Sequence, residues 1–164
     1  DVEKLENLFK SYTKKIPEVS QLDYWSRLKH LKMYSQQRRA ERYKILYTWT
    51  VLEGMVPNCG IKFNTSERRG RLCEVPKCKW RLAIQTMKEN NFQVAGSRLT
   101  NSLPEYLRDI RNSSKAELKE QLDLFLATLP DHPNVGDLIP NICNQITAKS
   151  SNSLIDVILQ ARSE

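Results

Sequence analysis

The sequence has no long apolar run, and this absence excludes a transmembrane helix. The longest runs are only a few residues, as at Val157-Ile158-Leu159, whereas about 20 consecutive apolar residues are needed to cross a bilayer. No cationic stretch followed by an apolar segment opens the chain, so we expect no secretory signal and no membrane partner. The first residue is Asp1 rather than Met, and we therefore expect a piece of a longer protein.

Residue patterns that carry catalysis are also missing. No two acidic residues are adjacent, although two-metal phosphoryl transfer needs carboxylates that converge on ions about 4 Å apart. The chain has only two histidines, His30 and His132, and neither a Gly-rich phosphate loop nor a Gly-x-Ser-x-Gly elbow. We predict no catalytic residue and no cofactor, and a nuclease whose scattered acids meet only on folding is the least favoured alternative.

Cysteine is scarce and irregularly spaced. The four positions, Cys59, Cys73, Cys78 and Cys143, do not form a disulfide-scaffold pattern. We interpret them as reduced thiols of an intracellular protein, in the nucleus or cytoplasm. The Cys73-x4-Cys78 spacing suggests zinc, but a second clean pair is missing, so we predict no metal site.

Charge is plentiful and unevenly distributed. The net charge is +7, from 26 Lys and Arg against 19 Asp and Glu. Residues 1–82 contain 18 basic and 9 acidic side chains, a balance of +9, while residues 83–164 contain 8 and 10, a balance of −2. A cationic half attracts polyanions, with nucleic acid first among them. On charge alone, a solvated lysine-rich surface is an equally good interpretation.

Helical periodicity dominates the first 57 residues. A first helix is predicted by the spacing of Leu5, Leu8, Phe9 and Tyr12, and Pro17 ends it. Asp23 is a predicted N-cap for a short second helix. The longest helix is predicted from about residue 35 to residue 53, with Ser35 as its N-cap and Gly54 in the left-handed position beyond its end. Trp49 could stack on a base, but beside Leu46 and Leu52 we predict that it packs in the core.

The pattern changes after Pro57 and predicts a small β component. Alternation from Ile61 to Asn64 and a return from Arg71 to Val75 predict a hairpin at about 61–75, and a second extended pair is predicted at 81–87 and 92–95. Pro104 is predicted to open a short helix, and the capping box Ser114-Lys115-Ala116-Glu117 begins a helix at about 115–128. Residues 130–153 are predicted as loop or disordered chain, before a short last helix near Leu154.

These patterns together predict a mainly α fold with a small β component, divided into three segments. Residues 1–57 form a helical segment, residues 58–129 form the hairpin and further helices, and residues 130–164 form a loop-rich tail with a short terminal helix.

Serial motifs along nearly the whole chain resemble a known family. They are LDYWSRLKHLKMYSQQRRAERY at 22–43, YTWTVLEGMVPN at 47–58, RRGR at 68–71, RLTNSLP at 98–104, LDLFL at 122–126, PDHP at 130–133 and SNSLID at 151–156. Their order and spacing resemble the region after the catalytic palm in reverse transcriptases of jockey-like non-LTR retrotransposons. The resemblance implies that this chain corresponds to the thumb and tail of an RNA-directed DNA polymerase, without the aromatic-x-Asp-Asp metal box of the palm.

The resemblance and the charge pattern together lead to a functional hypothesis. We expect a noncatalytic module, the C-terminal fragment of such a retrotransposon reverse transcriptase, that binds the RNA/DNA duplex backbone of the template and primer for a parent enzyme. The expected phosphate contacts are Arg38, Arg39, Arg42 and Lys44 on the long helix and Arg68, Arg69 and Arg71 on the hairpin. The other expected partner is the missing palm and fingers of the parent polypeptide.

An alternative class of function is kept open. The chain is then a small helical protein-interaction or scaffold domain, a decayed or domesticated retroelement remnant whose basic face only confers solubility. Because a thumb packs apolar surface against the palm, an exposed apolar face on residues 1–20 or on the last helix would mark where a partner binds.

Overall fold

The computed structural model describes residues 2–63, 72–76, 91–110, 113–131 and 153–162. Within these ranges the chain is mainly helical, as predicted. Its helices are α1 (Val2–Thr13), α2 (Tyr24–His30), α3 (Gln36–Leu52), α4 (Phe92–Ser102), α5 (Glu105–Arg108), α6 (Lys115–Thr128) and α7 (Leu154–Ala161), with a 3₁₀ turn at Pro17–Val19.

The central helix α3 has the predicted length and both predicted ends. The Ser35 side chain accepts a hydrogen bond from the backbone N–H of Arg38 at 3.1 Å, which satisfies one of the free donors of the first turn. At the other end Gly54 has φ +72°, and the N–H groups of Gly54 and Met55 donate to the carbonyls of Val51 and Thr50. This is a Schellman motif, which requires a left-handed residue that glycine adopts without strain.

The other predicted helices are also confirmed. Asp23 caps α2 through the N–H of Ser26 at 3.1 Å, and Ser114 caps α6 through the N–H of Glu117 at 3.1 Å. Pro104 precedes α5 as its N-cap, and α7 begins at Leu154.

The β component is not seen in the described part of the chain. Between residues 61–63 and 72–76 there is no strand, only an isolated antiparallel bridge of Phe63 with Cys73 and a hydrogen bond from the Glu74 N–H to the Lys62 carbonyl. The hairpin tip at 64–71 and the extended segment at 81–87 lie outside the described residues.

The predicted strand at 92–95 is wrong, because these residues begin helix α4. Asn91 caps this helix by accepting a hydrogen bond from the Gln93 N–H at 3.1 Å. The four-residue stretch was too short for a period of two to exclude a helix. Over a longer window the buried positions Gly96, Leu99 and Thr100 show the helical spacing, because Leu99 and Thr100 follow Gly96 by three and four residues.

One hydrophobic core joins parts of all three segments. Its buried members are Ile45, Leu46, Trp49, Leu99, Leu103, Leu107, Leu118, Leu122, Leu126, Leu129, Leu154 and Ile158. Trp49 is a core residue, as predicted, and its indole N–H donates to the Ile110 carbonyl at 3.1 Å. Each fully buried Leu or Ile stabilises the fold by about 1.5–3 kcal/mol. Helix α3 is therefore fixed along one side by α4, α6 and α7.

Helices α3 and α4 cross at a point where only glycine fits. A Cβ added at Gly96 would lie 2.4 Å from the Thr48 hydroxyl oxygen, which itself donates to the Lys44 carbonyl at 2.8 Å. The missing side chain at Gly96 therefore lets the two helix backbones pack closely at this point.

Candidate nucleic-acid interface

Arg38 is buried rather than presented to a ligand. It is 1% exposed, its Nη2 donates to the Pro130 carbonyl at 3.0 Å, and its Nε lies 3.7 Å from the Asp131 carboxylate. Asp131 also accepts hydrogen bonds from the N–H and the hydroxyl of Ser35, both at 2.7 Å. Arg38 and Asp131 therefore tie the end of α6 to the start of α3.

Arg42 forms a bidentate ion pair with Asp123 of α6. Its Nε and Nη2 donate to the two carboxylate oxygens at 2.5 and 2.7 Å, and this bonding raises the pKa of the guanidinium. The Tyr34 hydroxyl lies 3.3 Å from the same carboxylate, and burial, with the nearby Asp123 charge, raises its pKa to about 12. Arg38 and Arg42 are already bound to acceptors within the protein, which removes both from the candidate interface.

The positions of these arginines explain why the first turns of α3 can be basic. A helix N-terminus favours negative charge, so Arg38, Arg39 and Arg42 oppose the helix dipole. The fold brings carboxylates to that end: Asp131 accepts from Ser35, and Glu6 of α1 accepts from the Gln36 N–H at 2.7 Å. Arg38 and Arg42 also pair with Asp131 and Asp123 inside the protein, and the sequence analysis did not predict these ion pairs.

Other helix ends are satisfied in the same way. Glu41 accepts from the Leu154 N–H at the start of α7, at 3.1 Å to each oxygen. Arg162 donates to the Ser102 carbonyl at the end of α4 at 3.0 Å, and Arg27 donates to the Lys10 carbonyl near the end of α1 at 3.4 Å. Carboxylates thus accept hydrogen bonds at helix N-termini, and arginines donate to carbonyls at or near helix C-termini. Both arrangements are favourable, because the backbone carries partial positive charge at the N-terminus and partial negative charge at the C-terminus.

The outer side of α3 presents tyrosines between the two remaining predicted cations. Tyr43 and Tyr47, one turn apart, are 64% and 49% exposed. At 100° per residue, Arg39 lies on one edge of this tyrosine row and Lys44 on the other. We call the set Arg39, Tyr43, Lys44 and Tyr47 the α3 face.

Neighbouring side chains orient the α3 face. The Arg39 guanidinium carbon lies 4.9 Å from the ring centre of Phe9 on α1, and the Tyr47 ring meets Phe92 edge-on with centroids 5.1 Å apart. An open groove of about 490 Å³ runs along the first turns, lined in part by Tyr34, Arg39 and Tyr43. This arrangement offers cations for phosphates and two aromatic rings for bases.

The other predicted phosphate contacts lie outside the described residues, and the histidines and cysteines, for which no site was predicted, are scattered. Arg68, Arg69 and Arg71 lie outside the described residues, as do His132, Cys78 and Cys143. His30 and Cys59 are exposed, whereas Cys73 is buried. Among the residues that the structure describes, no group of three or more His, Cys, Asp or Glu side chains could hold a metal ion.

The tyrosines of the α3 face were missed as site residues, although the sequence contains their signal. Tyr43 and Tyr47 lie at helical spacing close to Leu46 and Trp49, so periodicity alone does not mark the two tyrosines as exposed. A helical projection separates them, because residues 43 and 47 point opposite to the buried Ile45 and Trp49.

In the described ranges, no helix has both the length and the apolar character needed to cross a membrane. In comparisons with known proteins, no family model, no curated protein and no solved structure matches this chain.

Proposed function

We propose that this chain is a noncatalytic nucleic-acid-binding module. The observation that carries the proposal is the α3 face, where two exposed tyrosines lie between an arginine and a lysine on one helix. Arg39 and Lys44 contact phosphates of the backbone, and these contacts position the ligand without reading its sequence. Tyr43 and Tyr47 add base stacking where a strand is single, as at the end of a template–primer duplex.

The proposal includes the parentage that the sequence motifs imply. The chain is a thumb-and-tail fragment of a jockey-like retrotransposon reverse transcriptase, and its partners are an RNA/DNA duplex and the palm and fingers of the parent polypeptide, in the nucleus or cytoplasm. Arg68, Arg69 and Arg71, which lie outside the described residues, supply further phosphate contacts. Polymerase activity belongs to the parent, so we expect no template-dependent primer extension by the purified chain with Mg²⁺ or Mn²⁺.

The test is fluorescence anisotropy with a mixed-sequence duplex and a single strand over a series of salt concentrations. Replacing Arg39 and Lys44 together by alanine should weaken binding to all sequences alike and flatten the salt slope by about two units, because two phosphate contacts are lost. Replacing Tyr43 and Tyr47 by alanine should weaken the single strand more than the duplex, by about 1–3 kcal/mol per stacked base.

Matched controls come from the same chain. Lys115 and Lys119 are exposed on α6, so their double alanine variant removes the same net charge at another place. Tyr106 is 59% exposed on α5 and provides the corresponding tyrosine control. If the α3 variants and these controls lose affinity equally, the α3 face is only a solvated surface. The alternative function, a helical protein-interaction or scaffold domain, would then be favoured.

A further inference from the structure

The small side chain of Ala40 leaves space in the groove beside the first turns of α3. Ala40 is exposed, and its neighbours on the same side of the helix are Gln36, four residues before it, and Tyr43, three residues after it. Both have longer side chains, and Tyr34 lines the groove from the segment that precedes α3. The volume of about 490 Å³ lies within the range of about 300–1,000 Å³ that is typical of small-molecule sites.

Arg39 places a cation at the edge of this groove. Its guanidinium carbon lies 4.9 Å from the ring centre of Phe9 on α1. A guanidinium over a ring face is attracted by the ring and still has N–H groups with which to bind an anion. Phe9 therefore restrains Arg39 before any ligand binds, which lowers the entropy cost of ordering this side chain on binding.

Two carboxylates near the groove are already bound within the protein. Asp123 pairs with Arg42 through two hydrogen bonds. Glu6 is 4% exposed and accepts from the Tyr24 hydroxyl at 2.6 Å and from the Gln36 N–H at 2.7 Å. The ion pairs of the described residues do not include the guanidinium at the groove edge, so it is available to an anionic ligand.

Aromatic rings form the sides of the groove. Tyr43 is 64% exposed, and the guanidinium carbon of Arg42 lies 5.9 Å from its ring centre. Tyr34 is half-buried, and its hydroxyl donates to the Asp123 carboxylate at 3.3 Å. An accessible ring face with a cation nearby is the combination that holds a nucleotide of a single strand, because the base stacks on the ring and the phosphate pairs with the cation.

We propose that the groove over Ala40 is a subsite for one unpaired nucleotide, with its base stacked on Tyr43 and its phosphate bound by Arg39. The inference rests on the proposed function and adds a preference to it. An unpaired nucleotide binds better than a paired one, because a paired base must first leave its stack. The Gln36 amide both donates and accepts hydrogen bonds, so it suits the edge of any base and the subsite has no sequence preference.

The test is fluorescence anisotropy of the full chain with three labelled duplexes of the same mixed sequence. The first duplex is blunt, and in the second one strand is longer by one nucleotide at each end. In the third these two extra nucleotides are abasic, so they keep their phosphates and lack only the bases. The second duplex should bind about fivefold or more tightly than the other two, as expected for one stacked base.

Substitutions at Ala40 test the groove itself. Ala40→Leu fills the space and should remove the preference for the unpaired nucleotide. Ala40→Gln should act in the same way, which shows that added apolar surface is not the cause. Tyr43→Phe retains the ring and should keep the preference. Ala127 is exposed on α6, so Ala127→Leu is the matched control and should also keep it. Circular dichroism checks that each variant is folded.

The outcomes separate this inference from the proposed function. If the wild-type chain binds all three duplexes equally while affinity still depends on Arg39 and Lys44, the proposed function stands and the subsite is refuted. The subsite is also refuted if Ala40→Leu and Ala40→Gln keep the preference, or if Ala127→Leu loses it. If the wild-type chain binds none of the duplexes, both the subsite and the proposed function are wrong.

Discussion

Removing the Asp131 carboxylate should destabilise the protein more than removing any exposed acid. The side chain of Asp131 is buried, and it is the only described acceptor for both the Ser35 N–H and the Ser35 hydroxyl, each at 2.7 Å. It also faces the Arg38 guanidinium at 3.7 Å. Asp131→Ala therefore breaks the tie between α6 and α3 and leaves a buried cation without its anion.

The loss in the free energy of unfolding expected for Asp131→Ala can be estimated from these contacts. Hydrogen bonds to a charged group contribute about 1.5–3 kcal/mol each, and breaking a buried ion pair by removing one partner costs about 3–5 kcal/mol. Because the contacts share one carboxylate, they do not add, and we expect a total loss of about 3–5 kcal/mol in the free energy of unfolding. For a chain of 164 residues, this corresponds to a decrease of about 6–20 °C in Tm.

The assay is urea unfolding followed by circular dichroism, with a double-mutant cycle to isolate the pair. Arg38→Met keeps an apolar stem and removes the charge, so Met at this position needs no carboxylate. The double variant should be less destabilised than the sum of the single variants by about 1 kcal/mol or more. Asp109 is exposed at the end of α5, and Asp109→Ala is the control, with an expected change within about 0.5 kcal/mol.

Two results would refute this reasoning. If Asp131→Ala lowered the free energy of unfolding by less than about 1 kcal/mol, the Arg38–Asp131 pair would contribute no more than a weak surface ion pair. Strict additivity of Asp131→Ala and Arg38→Met would show that the two groups do not stabilise each other in solution.

Two further predictions concern helix packing and pH. Gly96→Ala should destabilise the fold by about 1–3 kcal/mol through the contact with the Thr48 hydroxyl, and Thr48→Ala should relieve most of that loss in the double variant, as measured by urea unfolding. Burial raises the folded-state pKa of Glu41 above its ordinary value of 4.5. The unfolded state therefore loses this proton first, and stability falls as pH rises above that value. Unfolding curves at several pH values measure this fall in the free energy of unfolding, and Glu41→Gln should make it smaller. If the variant and the wild type show the same pH profile, Glu41 is not the group responsible.

The helices could be predicted because their signals are local. Ser35 and Gly54 fix the ends of α3 through contacts within a few residues, and Ser114 does the same for the start of α6. Residues 92–95 show the limit of such signals. The pattern of four residues is compatible with a strand or with a helix. Capping by Asn91 and the close packing of Gly96 against Thr48 favour the helix.

The candidate site was predicted only in part because burial of a charge depends on distant residues. Nothing near Arg38 in the sequence indicates that Asp131 will face it, and Arg42 and Asp123 are 81 positions apart. Three arginines in the first turns of α3 resembled a phosphate-binding cluster, yet two of them meet acids that only the folded chain brings close. Arg39 differs because its neighbour is the Phe9 ring rather than a carboxylate.

The burial of Arg38 and Arg42 also changes the salt dependence expected of nucleic-acid binding. Seven phosphate contacts, as the sequence predicted, would give a slope of about −6 in a plot of log affinity against log salt, at about 0.9 units per B-DNA contact. Without those two arginines, the five remaining residues Arg39, Lys44, Arg68, Arg69 and Arg71 give at most about −4.5. Anisotropy titrations of the wild-type chain on duplex DNA measure this difference directly. A slope near −6 would mean either that the ion pairs with Asp123 and Asp131 open on binding or that other cations contact the backbone. Asp123→Asn distinguishes these two cases. If the Arg42 ion pair already opens on binding, the variant keeps the wild-type slope, because Arg42 already contacts a phosphate. If other cations make the contacts, Arg42 is released by the variant and the slope becomes steeper.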